Sequence, residues 1–278
     1  MNNDYFIYTG ALRVFDSFEV NTGEYEFSYD YKASGFERLK SKYRIDEVAG
    51  NGSELDKALN LMKWCSENVL HNSGTKDVEF IPKTSVDILD YSFQKGREYG
   101  VYCRLQATVF TECCLALGIK ARILHCLPFS PNDFDTHVVS MVYISDLKKW
   151  IMLDASNNRY FVDSEKNILS PMEIRSRLSH DDDIECNVPD DAYKTYMAKN
   201  MFYFKSLQNN TFGSDLQTKQ KTIYCIPVGF NVSEREIAYC QYAIKNTSEE
   251  FAADWKKALS EYQERTTIDC LSADLFFE

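Results

Sequence analysis

The spacing of apolar side chains changes period several times along the chain, and each change marks an element. Residues 5 to 32 alternate aromatic and polar side chains around turn signals such as Asn21-Thr22-Gly23, which predicts short strands. At Ser53 the period becomes helical. Ser53 can cap a first turn, Asp56 sits three residues on, and Leu55, Leu59, Met62 and Val69 recur on one face. From Cys103 to Leu117 the positions Ala107, Phe110, Cys114 and Leu117 trace a second helical face, and Gly118 supplies a left-handed stop. Ile119 to Leu127 then alternates as a strand. His137 to Ile144 and Trp150 to Asp154 predict two more strands joined by the polar turn at Asp146 to Lys149, and Arg159 to Val162 offers a fourth. A helix followed by an antiparallel meander is an α+β pattern.

Further on, His180 to Asp191 is crowded with acids and predicts a solvated loop. Lys199 to Leu207 and Thr222 to Phe230 have strand character, Glu234 to Lys245 and Glu250 to Glu264 helical character, and Thr267 to Glu278 predicts an edge strand. This divides the chain into a β-rich N-terminal flank (1–52), a core (53–198) and a mixed α/β flank (199–278). Continuous moderate hydrophobicity, with only 11 Gly and 6 Pro, predicts that the C-terminal flank packs on the core rather than hanging from a linker.

Composition narrows the function classes. Over 278 residues, 44% hydrophobic and 26% charged side chains are globular values, and the length suffices for a sizeable core. A formal charge of −11 argues against a nucleic-acid or anionic-membrane partner, since such binding relies on basic side chains. The longest run free of polar side chains, Cys113 to Ile119, is seven residues, whereas a membrane helix needs about twenty. Asp4 stands where a signal peptide carries basic residues. Nine cysteines, an odd number without framework spacing, suit free thiols in a reducing compartment, so a cytoplasmic location is expected.

The chemistry concentrates in three residues. Cys103 opens a helix, where unpaired N–H groups and the macrodipole bias a thiol towards thiolate. His137, one of four histidines, heads a strand, and Asp154 ends the next strand of the same hairpin. Antiparallel pairing brings the start of one strand and the end of the next to the same open end. With the helix N-terminus packed at that end, nucleophile, base and orienting carboxylate converge. Alternatives weigh against each residue alone: a free cysteine is more often packing than chemistry, and an aspartate can simply cap a turn. Cys113, Cys114 and Cys126 fall on core positions, His125 reads as structural, and His71 and His180 read as surface or loop residues. Zinc at Cys113, Cys114, His125 and Cys126 is disfavoured, because adjacent helical residues point about 100° apart and no C-x-x-C exists. No metal or cofactor is expected.

From Gly100 to Asp154 the chain resembles the transglutaminase-like superfamily of papain-type cysteine enzymes. The resemblance is carried by GVYCRLQATVF, CLALGIKARIL, HVVSMVYI and WIMLDAS, which supply Cys103, Ala107, Gly118-Ile119-Lys120-Ala121-Arg122, His137, Trp150 and Asp154 in the family's order. It implies a papain-like core with the cysteine helix packed on an antiparallel sheet. It also implies Cys103 as nucleophile, His137 as general base and Asp154 as orienting acid. Two departures, Gly100 standing three residues before the cysteine and Arg104 following it, set the chain apart from the protein cross-linking members.

The implied activity is thiol-dependent acyl transfer on a peptide, protein or small amide, with hydrolysis favoured over transamidation. Gln94 is the candidate side-chain oxyanion donor. The alternative is a non-catalytic protein-binding module on the same scaffold. Oligomeric state is not legible.

Overall fold

The computed structural model describes residues 3–72, 83–96, 99–216, 220–247, 249–264 and 267–278. The N-terminal part holds α1 (Asn3–Val14), β1 (Ser28–Tyr29), α2 (Ser34–Tyr43), α3 (Ile45–Ala49), α4 (Glu54–Asn68) and α5 (Ser85–Lys95). The centre holds α6 (Cys103–Ala116), β2 (Ala121–Leu127), β3 (His137–Ile144), β4 (Lys149–Leu153), β5 (Phe161–Val162), α7 (Pro171–His180), β6 (Glu185–Cys186) and α8 (Asp191–Asn200). The C-terminal part holds β7 (Tyr203–Leu207), β8 (Asn209–Asn210), β9 (Thr222–Cys225), α9 (Val232–Asn246), α10 (Glu249–Glu264) and α11 (Ala273–Phe276).

The fold is α+β, built on a five-stranded antiparallel sheet in the order β4-β3-β2-β7-β9. Both faces of the sheet are covered, so its strands read as nearly continuous apolar runs. One core forms where Ala121, Val142, Ile151 and Leu153 meet α2 to α6. The other forms where Leu124, Val139, Met141 and Met152 meet α1, α7 and α8. Strands β7 and β9 are bonded into the central sheet, so the C-terminal segment is continuous with the core.

The local chemistry explains the element starts. Ser53 and Asp56 form a reciprocal capping box on α4, and Ser170 with Glu173 does the same for α7, where Pro171 takes the first turn. Gly118 follows α6 at φ +76, the left-handed conformation that ends the helix.

Two expectations need correction. Of the strands expected over residues 5–32, only β1 (Ser28–Tyr29) forms; residues 5–14 lie in α1 and most of the rest is irregular. In α1 it is Tyr5, Thr9 and Leu12, at helical spacing, that are buried, and they pack against α7 and α8. The aromatic alternation was misleading because Phe6 and Ile7 are exposed. The segment to residue 52 is therefore helical, with β1 as its strand, rather than β-rich. Residues 267–278 make a single bridge, Tyr224 to Cys270, and then turn into α11, which buries Phe276 against Phe27 and Arg122.

Candidate active site

Helix α6 delivers Cys103 in its first turn. Its N-cap residue, Tyr102, makes no side-chain capping hydrogen bond, and the turn has no acid to offset the macrodipole. Cys103 packs against Ala107, Ile123 and Val138, the residue after His137. Of the nine cysteines it alone is partly exposed; the other eight are buried.

His137 and Asp154 come from the β3–β4 hairpin. Ser140 pairs with Leu153, and continuing that register sets Asp154 level with Val139, two residues from His137 on the same face. His137 Nε2 lies 2.7 Å from Asp154 Oδ2. That contact leaves Nδ1 as the ring nitrogen for sulfur. Asp154 is further held by the Ser156 N–H (2.8 Å to Oδ1), Asn157 Nδ2 (3.0 Å to Oδ2) and Tyr193 Oη (2.8 Å to Oδ2). The loop that supplies two of these donors closes through reciprocal Asp154–Arg159 backbone bonds, with Asn158 in the left-handed region at φ +51.

Electrostatics follow from these contacts. Burial pushes the Cys103 thiol up. Hydrogen bonds from His137 and His71, the His137 charge and the Val138 backbone N–H outweigh burial and bring its pKa down to about 6. Burial likewise works against charge on His137, but the Asp154 carboxylate and Cys103 raise its pKa to about 10. Asp154, opposed by burial and favoured by His137, Asn157 and Tyr193, is held at about 2. Near neutral pH the arrangement holds a thiolate, an imidazolium and a carboxylate in sequence.

Three side chains at the site carried no motif signal. Tyr193 and Tyr196 lie on α8, one turn apart, and their rings approach His137 edge-on with centroids 6.4 and 5.3 Å away. Asp190, from the acid-rich stretch expected to be solvated, caps α8 by accepting from the Tyr193 N–H at 2.9 Å, and so fixes where Tyr193 points. The third is His71. It is exposed, as expected of a surface residue, yet it bridges Val101 two residues before Cys103 and helps to lower the Cys103 thiol.

Gln94 is exposed in the last turn of α5. His125 lies on β2 opposite Val138 and Lys205, where burial and the nearby Arg104 and Lys205 charges keep it neutral. Cys113 and Cys114 pack in the α4–α6 core with Cys65, whereas Cys126 belongs to the core on the other side. Among the described residues no group of three or more His, Cys, Asp or Glu is arranged to hold a metal. None of the described helices is long and apolar enough to cross a membrane.

The segment containing all three aligned residues has a known counterpart. Residues 42–155 match the transglutaminase-like superfamily. The transglutaminase-like match thus runs from the end of α2 through β4 and stops one residue past Asp154; Tyr193 and Tyr196 lie beyond it. Two solved structures are similar to the chain. One is a candidate cysteine protease from Cytophaga hutchinsonii, 22% identical, with a TM-score of 0.34 over 56% of this chain and 43% of its own. The other is a TGase, 13% identical, with a TM-score of 0.31 over 56% of this chain and 33% of its own. The chain spans less than half the length of either. No curated protein matches it.

Proposed function

We propose that the protein is a thiol-dependent acyl-transfer enzyme acting on an amide or peptide bond, with Cys103 as nucleophile, His137 as acid and base, and Asp154 as orienting acid. The observation that carries this reading is the His137 Nε2–Asp154 Oδ2 contact of 2.7 Å beside the partly exposed Cys103, which packs against Val138, the residue after His137.

In the forward step the Cys103 thiolate adds to the substrate carbonyl, forming the C–S bond and moving the C=O electron pair onto oxygen. The Cys103 backbone N–H, at the open start of α6, stabilises that oxyanion. Collapse of the adduct breaks the C–N bond as His137 Nδ1–H protonates the departing amine, leaving a thioester and neutral imidazole. An incoming water or amine then loses a proton to Nδ1, adds to the thioester and expels the thiolate. Water gives hydrolysis and an amine gives transamidation. The residues around Cys103 depart from the cross-linking pattern, which favours water.

Iodoacetamide alkylation across pH tests the reading. Cys103 should react well below pH 8 and ahead of the other eight thiols, and His137→Ala should abolish that excess. Ordinary behaviour at Cys103, unchanged by His137→Ala, would leave a non-catalytic scaffold. Profiling with peptide amides, and with glutamine plus amine donors, then separates hydrolysis from transamidation.

A further inference from the structure

The chain that enters Cys103 does not run alone. Residues 69–72 lie against it as a parallel partner, with the Val101 N–H donating to Leu70 O at 2.8 Å and the Asn72 N–H to Val101 O at 2.9 Å. Gln106, buried one turn below Cys103 on α6, donates its side-chain amide to Val69 O, so the segment is also tied to the cysteine's own helix. The approach is close enough that Gly100 has no room for a side chain: a Cβ there would sit 2.7 Å from Asn72 Cβ and 2.9 Å from Leu70 O. The residue held in the middle of this clamp is His71, bridged to Val101 two residues before Cys103 and among the groups that lower the Cys103 thiol.

The proposed mechanism leaves this imidazole unused. His137 is committed through Nε2 to Asp154, and Gln106 to Val69. His71 is exposed, so a substrate carbonyl arriving at the sulfur meets it without displacing core. An imidazole carries at least one N–H in either charge state. A ring seated by backbone pairing two residues from the cysteine that attacks can reach an oxygen on the carbon that the sulfur has just bonded.

We infer that His71 is a second catalytic imidazole, donating a hydrogen bond to the oxyanion of the tetrahedral adduct alongside the Cys103 backbone N–H. This rests on the acyl-transfer reading above and assigns the side-chain half of its oxyanion site. His71 transfers no proton in either step: it binds the charge that forms on oxygen and releases it when the C–N or C–S bond breaks. Removing one such donor typically costs about 10²–10³ in rate.

The experiment compares two reagents on the wild type, His71→Ala and His71→Gln, with His137→Ala as reference. Iodoacetamide alkylates sulfur by displacement and forms no oxyanion; p-nitrophenyl acetate acylates it through a tetrahedral adduct that does. At a pH where the thiol is fully ionised, His71→Ala should alkylate within about twofold of wild type yet acylate roughly 10²-fold more slowly. His71→Gln, which keeps a donor, should recover part of the loss. Equal slowing with both reagents would make His71 a thiolate-positioning residue and overturn the oxyanion role, as would acylation indifferent to either substitution. A wild type whose Cys103 alkylates as an ordinary thiol would instead overturn the acyl-transfer reading itself.

Discussion

His137 Nε2 and Asp154 Oδ2 are 2.7 Å apart, with side chains 3% and 0% exposed. A buried carboxylate at that distance does more than orient the ring, because burial works against charge on His137 and Asp154 is the largest of the groups that reverse this, with Cys103 adding to it. In Asp154→Asn the amide oxygen can still accept from Nε2–H, but it carries no charge to hold the imidazolium. The thiolate then loses its counter-ion. Acyl release should fall about 10²–10⁴-fold, and the alkylation midpoint of Cys103 should rise. Asp154→Ala, which leaves the buried Nε2 without its carboxylate, should also destabilise the fold by about 3–5 kcal/mol, read as a lowered thermal midpoint.

The pH dependence has a defined sign. The thiolate forms as pH rises through about 6, and the imidazolium is lost as pH rises through about 10. Acyl transfer, which needs thiolate to attack and imidazolium to protonate the leaving group, should therefore follow a bell whose limbs are the two macroscopic values of the pair. Alkylation needs only the thiolate, so it should rise through the lower value and stay high above the upper one. In His137→Ala the acidic limb should move above about 8.5, the unperturbed thiol value. A rate profile and an alkylation profile that coincide at high pH would contradict this assignment.

Tyr193 offers a narrower test. Its hydroxyl donates to the same Asp154 oxygen that receives His137, at 2.8 Å. Tyr193→Phe keeps the ring stacked on Phe161 and removes one of the donors that depress the Asp154 pKa. The buried carboxylate would lose about 1–3 kcal/mol of compensation. Denaturant unfolding should register that loss. Acyl-transfer rate should fall by roughly tenfold or less, since His137 and Asn157 still hold Asp154.

The residues of this site differ in how visible they are in sequence. Cys103, His137 and Asp154 each sit at the end of an element whose period is unambiguous, so antiparallel pairing alone brings the last two together. Tyr193 and Tyr196 could not be found this way: they are two tyrosines among 18, and they reach His137 only because α8 packs across β2. Helix α1 shows the same blind spot, since Tyr5, Phe6, Ile7 and Tyr8 form a bulky apolar run that fits either period until a partner buries one side. His71 left no pattern because its position depends on a parallel bridge to Val101 thirty residues on. Gly100 was the available clue. Beyond its place in the motif, its physical meaning is a close backbone approach.

That approach can be tested directly. In Gly100→Ala the new methyl would meet Asn72 Cβ at 2.7 Å and Leu70 O at 2.9 Å, contacts that only a shift of the 70–72 segment can relieve. Overpacking of this kind costs about 1–3 kcal/mol. Because the segment carries His71, the substitution should also slow p-nitrophenyl acetate acylation in the manner of His71→Ala while leaving the His137–Asp154 pair intact. A variant with a lowered thermal midpoint but normal acylation would show that the clamp serves folding alone.

The stretch leading into His137 is held from the opposite side. Lys199 of α8, largely buried, reaches Asp133 and Asp135 with ion pairs of 3.2 and 2.9 Å, and Arg235 of α9 donates to Asp133 O at 3.0 Å. Between them Phe134 stacks on Tyr242 with ring centroids 4.1 Å apart. These tethers fix the residues just before the strand that carries the imidazole, so slack there displaces His137 relative to sulfur. Misplacements of about 1 Å cost up to about 10²-fold in rate. Lys199→Met, which keeps the stem and removes the charge, should slow acylation several-fold and make residues 128–136 more susceptible to limited proteolysis. The acidic limb of Cys103 should stay near its wild-type position, because the Asp154–His137 contact that sets it does not pass through Lys199. A shifted limb with an unaltered cleavage pattern would mean that Lys199 acts on the site through its charge and not through the loop.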